Sequence, residues 1–359
     1  MGFDAVLLDR VAHLLIRKYM NLGLNLRAWP DTILRQTLHD PLKDRHKQTF
    51  RQLLLRWYNQ HARDLPWRKD TDPYRVWLSE VMLQQTRVAA VIRHYAKFLE
   101  RFPTVESLAK ARESTVLAAW SGLGYYRRAR MLHGAARKIV KEHGGKFPGS
   151  IEDLQRLPGI GRYTAAAVAS IAFGTAVAAV DGNVERVLER VYGENLSGKE
   201  LWTNAELLLE PARPGDFNQA IMELGATVCL PRRPLCASCP VVELCATRGA
   251  VRRTQKEVRH RKEIHYALDH RPNSVYLVQR SKHDRLMPGM WELPQTPSRN
   301  ANGSSLRLRH SITSTDYIVR VTRQVAPKSE KGRWVERRRV LALPLTGLAR
   351  KILRASGII

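Results

Sequence analysis

The sequence predicts a mainly α protein in two unequal parts: an all-helical domain over residues 47–246 and a smaller α/β domain over 264–359. Three observations carry this prediction. Apolar residues recur at helical spacing through the first part, and no alternating strand pattern appears before about residue 263. The turn-forming stretches "SGLGYY", "HGGKFPGS", "LPGIG" and "VDGN" cut that part into a series of helices. Beyond residue 263 the period changes and β-rich runs take over.

Residues 1–46 form an N-terminal extension with no assigned role. Within it Leu7, Val11, Leu14 and Leu15 recur at helical spacing, which predicts an amphipathic helix. Asp4, Asp9, Arg10, Arg17 and Lys18 interrupt it, so it lacks the apolar core of a secretory signal. No run in the chain reaches the ~18 apolar residues of a membrane span. Further on, Asp72-Pro73 reads as a helix start, with Asp as N-cap and Pro at the first helical position. Trp77, Val81, Val88, Ile92, Tyr95 and Leu99 then predict one apolar face on a single helix, which Phe102-Pro103 ends. Residues 247–263, "TRGAVRRTQKEVRHRKE", read as a basic linker. In the second domain "SVYLVQR", "YIVRVTRQV" and "WVERRRVLALP" predict strands, with "PNS" and "RNANGSS" as turns or loops.

Sixty Lys plus Arg stand against thirty-three Asp plus Glu, a net charge of +27. Such an excess points to an anionic partner, most often nucleic acid, although general solubility is the plainer use of charge. All four cysteines, Cys229, Cys236, Cys239 and Cys245, fall within seventeen residues with the spacing C-x6-C-x2-C-x5-C. That is no disulfide framework, and it predicts a cytoplasmic protein with a metal site. Four thiolates so spaced can hold a zinc ion or an iron–sulfur cluster. Zinc sites usually split into two short knuckles, whereas staggered single ligands suit a 4Fe-4S cluster better. Arg232 and Arg233 lie inside the loop, where they can meet DNA phosphates.

"LPGIG" joins two helical runs. Gly159 and Gly161 permit positive φ and close backbone approach. The amides from Gly159 to Arg162 open the next helix, and helix N-terminal amides attract anions. With no Walker lysine, the turn suits a DNA phosphodiester, whose contacts set position and not sequence. Two carboxylates complete the candidate chemistry. Asp181 follows an apolar run and precedes a helix, so it is either a cap or an aimed anion, with Asn183 as a competing cap. Glu80 has Val76, Trp77, Leu83 and Gln84 as helical neighbours; desolvation there would raise its pKa and keep a proton available.

Taken together, "LPWR…PYRVWLSEVMLQQTRV", "GLGYYRRARMLH", "LPGIGRYTA", "VDGNVERVL" and "FNQAIMELGATVC" resemble the MutY family of adenine DNA glycosylases, within the endonuclease III superfamily. The likeness runs from about residue 50 to 246. It implies a two-lobed helix-hairpin-helix glycosylase domain, a 4Fe-4S cluster on the four cysteines, and a bacterial-type, nucleoid-associated monomer. The partner it implies is double-stranded DNA with adenine opposite 8-oxoguanine or guanine, and no membrane. Glu80 would protonate the extruded adenine at N7 and later help position or activate water. Asp181 would stabilise the sugar cation, Asn183 would orient Asp181, and Tyr163 would support Asp181 and the sugar. Trp67, Arg68 and Gln219 would line the base pocket, and Gln84 and Tyr125 would wedge into the duplex. Superfamily members that also cut the strand carry a Schiff-base lysine where this chain has Tyr163, so backbone cleavage is not expected. The alternatives are an endonuclease III-like glycosylase/lyase acting on oxidised pyrimidines and a non-catalytic iron–sulfur DNA-binding protein. The C-terminal part resembles the family's Nudix-like domain through "GMWELP". No Nudix hydrolase box is present, and Ile312, Thr313 and Ser314 stand where the family's lesion-sensing loop has Phe-Ser-His. Thr313 and Ser314 are the candidate lesion contacts there.

Overall fold

The computed structural model describes residues 44–249, 260–284, 286–297, 305–312, 315–327 and 331–359. The amphipathic segment expected near the N-terminus and most of the basic linker lie outside them. The first part is helical: α1 (Asp44–His61), α2 (Pro73–Leu83), α3 (Val88–Arg101), α4 (Val105–Lys110), α5 (Glu113–Trp120), α6 (Tyr126–His143), α7 (Ile151–Gln155), α8 (Arg162–Phe173), α9 (Gly182–Tyr192), α10 (Gly198–Leu208) and α11 (Pro214–Thr227).

These helices build two cores. One, around Trp77, Phe98, Trp120 and Leu132, belongs to α2–α8. The other, around Phe50, Leu54, Leu188 and Phe217, belongs to α1 and α9–α11. Each large side chain fully buried in them contributes about 1.5–3 kcal/mol. The alanine-rich α8 is the seam between the lobes. Its Ala165, Val168 and Ala169 face the first core, while Ala166 and Ala167 pack on Ala179. Small side chains are needed there because α11 approaches closely: a Cβ on Gly215 would stand 2.8 Å from the Ser170 carbonyl oxygen. Two lobes meeting at one helix place residues from both beside the start of α8.

Asp72 caps α2 as expected, accepting from Arg75 N at 2.9 Å. The single helix predicted from Pro73 to Leu99 is instead two, broken between Leu83 and Val88. Gln85 takes a left-handed φ of 54° there, and no continuous helix passes through that conformation. The broken face also leaves Ile92 exposed while Trp77, Val81 and Tyr95 are buried.

The second part has two small sheets. In one, β1 (His260–Ala267) pairs in parallel with β6 (Thr315–Thr322), which pairs antiparallel with β5 (Ser305–Ile312). In the other, β3 (Ser274–Gln279) pairs antiparallel with β2 (His270–Arg271), β4 (Trp291–Glu292) and β7 (Gly332–Glu336). α12 (Arg337–Val340) and α13 (Gly347–Ala355) follow, and α13 closes a core of Val275, Leu277, Val319 and Ile352. Two strand assignments change. The run "WVERRRVLALP" is a strand only to Glu336 and turns helical at Arg337. β1 begins at His260, inside the segment read as linker, because its Lys and Arg side chains mask the alternation of a half-exposed strand. The two parts touch where Tyr126 Oη donates to the Leu345 carbonyl at 2.8 Å and Met290 enters the helical core.

Candidate active site

Glu80 sits in the middle of α2, a helix buried from Val76 to Met82, and is 7 % exposed. Tyr163, one residue into α8, donates its hydroxyl hydrogen to Glu80 Oε2 at 2.5 Å. Burial pushes the Glu80 carboxyl up to about 7; the Tyr163 hydrogen bond opposes this, nearby Asp181 adds to it, and Arg68 opposes it. Burial also holds the Tyr163 phenol well above its ordinary range, so it remains a donor. Its hydroxyl engages Glu80, and Asp181 lies near enough for its charge to add to that rise. The N-terminal turn of α8 points its side chain back across the seam toward α2, which sequence spacing does not reveal.

Asp181 is the N-cap of α9. Its Oδ1 accepts from the amides of Asn183 at 2.9 Å and Val184 at 2.8 Å. Its Oδ2 accepts from Asn183 Nδ2 at 2.8 Å. Of the two readings of Asp181, the structure shows the cap. The chain leading into it is fixed by buried Asn218, which accepts from Ala179 N at 3.0 Å and donates to Ser170 Oγ at 2.9 Å and the Val177 carbonyl at 2.8 Å. Asp181 from one lobe comes close enough to Glu80 of the other for its charge to raise the Glu80 carboxyl.

A short 3₁₀ turn, Pro66–Arg68, carries Trp67 and Arg68. Trp67 is buried edge-on against Tyr95, with ring centroids 5.5 Å apart. Arg68 NH2 donates to Glu223 Oε2 at 2.8 Å, and Arg63 Nε donates to Glu223 Oε1 at 2.6 Å. Glu223, 1 % exposed, is a site residue the sequence reading missed. Burial pushes its carboxyl up, but the hydrogen bonds from Arg63 and Arg68 outweigh that and hold it below its ordinary range. The available signal was its position four residues after Gln219 on α11, where the two share a helix face. Gln219 itself is half-buried.

The hairpin between α7 and α8 is exposed at its turn. Gly159 has a φ of 78°, and a Cβ there would meet Met131 Cβ at 2.7 Å, so glycine is required. Gly161 differs from expectation: at φ −88° and ψ 179° it is ordinary extended backbone with open space around it. Arg162 lies 3.7 Å over the Trp202 ring beside this turn. Gln84 ends α2 and donates from Nε2 to Thr164 Oγ1 at 3.3 Å. Tyr125, 48 % exposed, precedes α6 in a left-handed conformation.

All four cysteines are free and half-buried. Burial pushes the Cys236 and Cys239 thiols up, with nearby Cys229 and Cys245 adding to it, and Arg190 NH1 lies 3.2 Å from Cys229 Sγ. Four thiols in one loop, with a guanidinium beside one of them, are the donor type that a thiolate-bound group takes. Among the described residues no group of three or more His, Cys, Asp or Glu side chains is placed to hold a metal ion. Arg232 and Arg233 are exposed in the same loop. In the second part Ile312 pairs with Thr315, while Thr313 and Ser314 lie outside the described residues.

The model of the HhH-GPD superfamily of base excision DNA repair proteins matches residues 78–210. The human protein named adenine DNA glycosylase is 53 % identical over 221 residues, covering 57 % of this chain and 40 % of that protein. The Arabidopsis thaliana protein of the same name is 36 % identical over 326 residues, covering 77 % of this chain and 51 % of its own length. A solved thermostable thymine-DNA glycosylase superposes with a TM-score of 0.54 at 34 % identity, over 56 % of this chain and 96 % of that one. The chain spans about half the length of the curated relatives it matches.

Proposed function

The chain belongs to the MutY family of helix-hairpin-helix base excision repair proteins, and from that premise we propose that it excises adenine opposite 8-oxoguanine or guanine from duplex DNA without cutting the strand. The observation that carries the reading is the buried Glu80 carboxyl, raised to about 7 and held by the Tyr163 hydroxyl. A carboxyl tuned to neutral pH retains a proton to give, and general acids work best with such a pKa. The ordinary carboxyl gives it up well below that pH.

In this reading the adenine leaves the stack and enters the space bounded by Trp67, Arg68 and Gln219. Glu80 protonates it at N7, which turns a poor leaving group into a good one. The N-glycosidic bond then breaks through an oxocarbenium-like state, and the electron pair leaves with the base. Asp181, fixed by two amides and Asn183, faces the developing positive charge. Water completes the reaction with Glu80 accepting its proton. Tyr163 cannot form a Schiff base, so the abasic product stays uncut. The hairpin at Gly159 and Gly161 and the basic loop with Arg232 and Arg233 grip the phosphodiester backbone. Cys229, Cys236, Cys239 and Cys245 would hold a 4Fe-4S cluster that braces that loop. The second part would act as a Nudix-like reader of the base opposite adenine.

The test is base release from a panel of mispaired duplexes. Free adenine should appear from A opposite 8-oxoguanine or guanine, with strand scission only after alkali. Glu80→Gln and Asp181→Asn should each abolish it; release surviving intact in both refutes the mechanism. A borohydride-trappable covalent adduct would favour the lyase reading instead.

A further inference from the structure

Resting on the reading that Gln84 and Tyr125 meet the duplex, we propose that Arg128 is a positioning residue that sets those two side chains as one unit. Arg128 lies on α6, almost one turn after Tyr125, and its guanidinium reaches across to the end of α2. NH1 donates to the carbonyls of Val81 at 2.8 Å, Met82 at 3.0 Å and Gln84 at 2.5 Å. NH2 donates to Thr86 Oγ1 at 3.0 Å and, at 3.4 Å each, to the carbonyls of Leu123 and Gly124. The planar group also stacks 5.5 Å from the Trp120 centroid and 5.4 Å from that of Tyr125. All six hydrogen-bond acceptors are carbonyl or hydroxyl oxygens, none a carboxylate.

Two physical facts make this more than a surface contact. The last carbonyls of a helix lack intrahelical donors and carry the negative end of its dipole, so a cation there is stabilising. α2 ends among those carbonyls. Moreover, both turns that Arg128 joins are left-handed: Gln85 at 54° on one side, and Gly122 at 112°, Gly124 at 72° and Tyr125 at 48° on the other. Non-glycine residues pay of order 1–3 kcal/mol for such conformations and hold them only where the surroundings over-determine them. One guanidinium binds both. A lysine cannot replace it, since a point-like ammonium lacks the rigid fork. Gln84 is additionally tied to Thr164 on the helix that follows the hairpin, at 3.3 Å. The gap between the two side chains is thus fixed before any duplex arrives, and wedging into a base step needs no reordering of either turn.

The experiment uses the full chain and compares Arg128→Lys and Thr86→Val with the Gln84→Ala/Tyr125→Ala pair and with Arg128→Lys added to that pair. Extrusion is read from 2-aminopurine fluorescence in a duplex opposite guanine, base release from single turnovers across pH, and order from amide hydrogen exchange. Arg128→Lys should lower extrusion about tenfold and leave the shape of the pH profile unchanged. It should speed exchange over residues 84–87 and 122–126 together. Added to the Gln84→Ala/Tyr125→Ala pair it should cost nothing further. Thr86→Val, which removes one acceptor, should loosen both turns to a smaller degree. Losses that multiply in the paired background, or exchange that rises in one turn only, would overturn the proposal. If Arg128→Lys fails to fold, unchanged exchange over 122–126 in Thr86→Val overturns it instead. Should the unmodified protein extrude and release no adenine, the functional reading falls, while the exchange data still decide the role of Arg128.

Discussion

Replacing Glu80 by glutamine should stabilise the folded protein at alkaline pH while it removes activity. Glu80 is 7 % exposed, and its pKa moves from an ordinary 4.5 to about 7 on folding. A carboxyl with a raised folded pKa gives its full stability below the unfolded value and loses it as pH rises toward the folded value. That gap, at about 1.4 kcal/mol per unit, amounts to about 3 kcal/mol above pH 7 and is an upper figure because water can enter the site. Glutamine keeps the shape and can still accept from Tyr163, but carries no charge to desolvate. The advantage of Glu80→Gln should therefore widen by about 2 kcal/mol between pH 5 and pH 8. In thermal unfolding that is about 4 °C or more for a domain of this size. A gap that stays constant across this range, or a wild-type protein that gains on the variant as pH rises, would refute the electrostatic account of the site.

Tyr163→Phe deletes a donor to the ionised carboxylate, so the Glu80 pKa should rise; the alkaline limb of adenine release should follow it upward, and an unmoved or acid-shifted limb counts against the pairing. Asp181→Asn should cost under about 0.5 kcal/mol in stability, because asparagine caps helices equally well, yet lower base release by at least about a hundredfold; unfolding curves and single turnovers separate the two. Glu223→Gln leaves Arg63 and Arg68 facing a neutral amide and should destabilise the protein by about 2–4 kcal/mol near pH 7. The loss should shrink as pH falls through the depressed Glu223 pKa, since that stability exists only while Glu223 is ionised; equal destabilisation at pH 3 and 7 would contradict it. Asn218→Ala removes three hydrogen bonds that fix the approach to Asp181 and should cost about 2–3 kcal/mol, measurable by urea unfolding.

The local rules of the sequence were sufficient for the helical part in outline. Asp72-Pro73 starts a helix, Gly159 must be glycine, and Glu80 lies on an apolar helix surface. The helix start and the apolar surface depend on neighbours within a few residues; the turn at Gly159 is local too, although Met131 also crowds it. The break at Gln85 was not legible, because the group that stabilises its left-handed turn is Arg128, more than forty residues away. The end of the last predicted strand failed for a related reason: Arg337–Val340 suits strand and helix by composition, and packing chose the helix.

The same division holds at the site. Residue type alone determined the chemistry available: a tyrosine that cannot make a Schiff base, two carboxylates, four thiols crowded into one loop. What only the tertiary structure decided is which groups act on which. Glu80 and Tyr163 are 83 positions apart and share a hydrogen bond because α8 is the seam of two lobes. Glu223 becomes part of the site because two arginines from before α2 fold back onto α11. A carboxyl's pKa depends on burial and on the charges around it, and those are properties of the assembled fold, not of any stretch of chain.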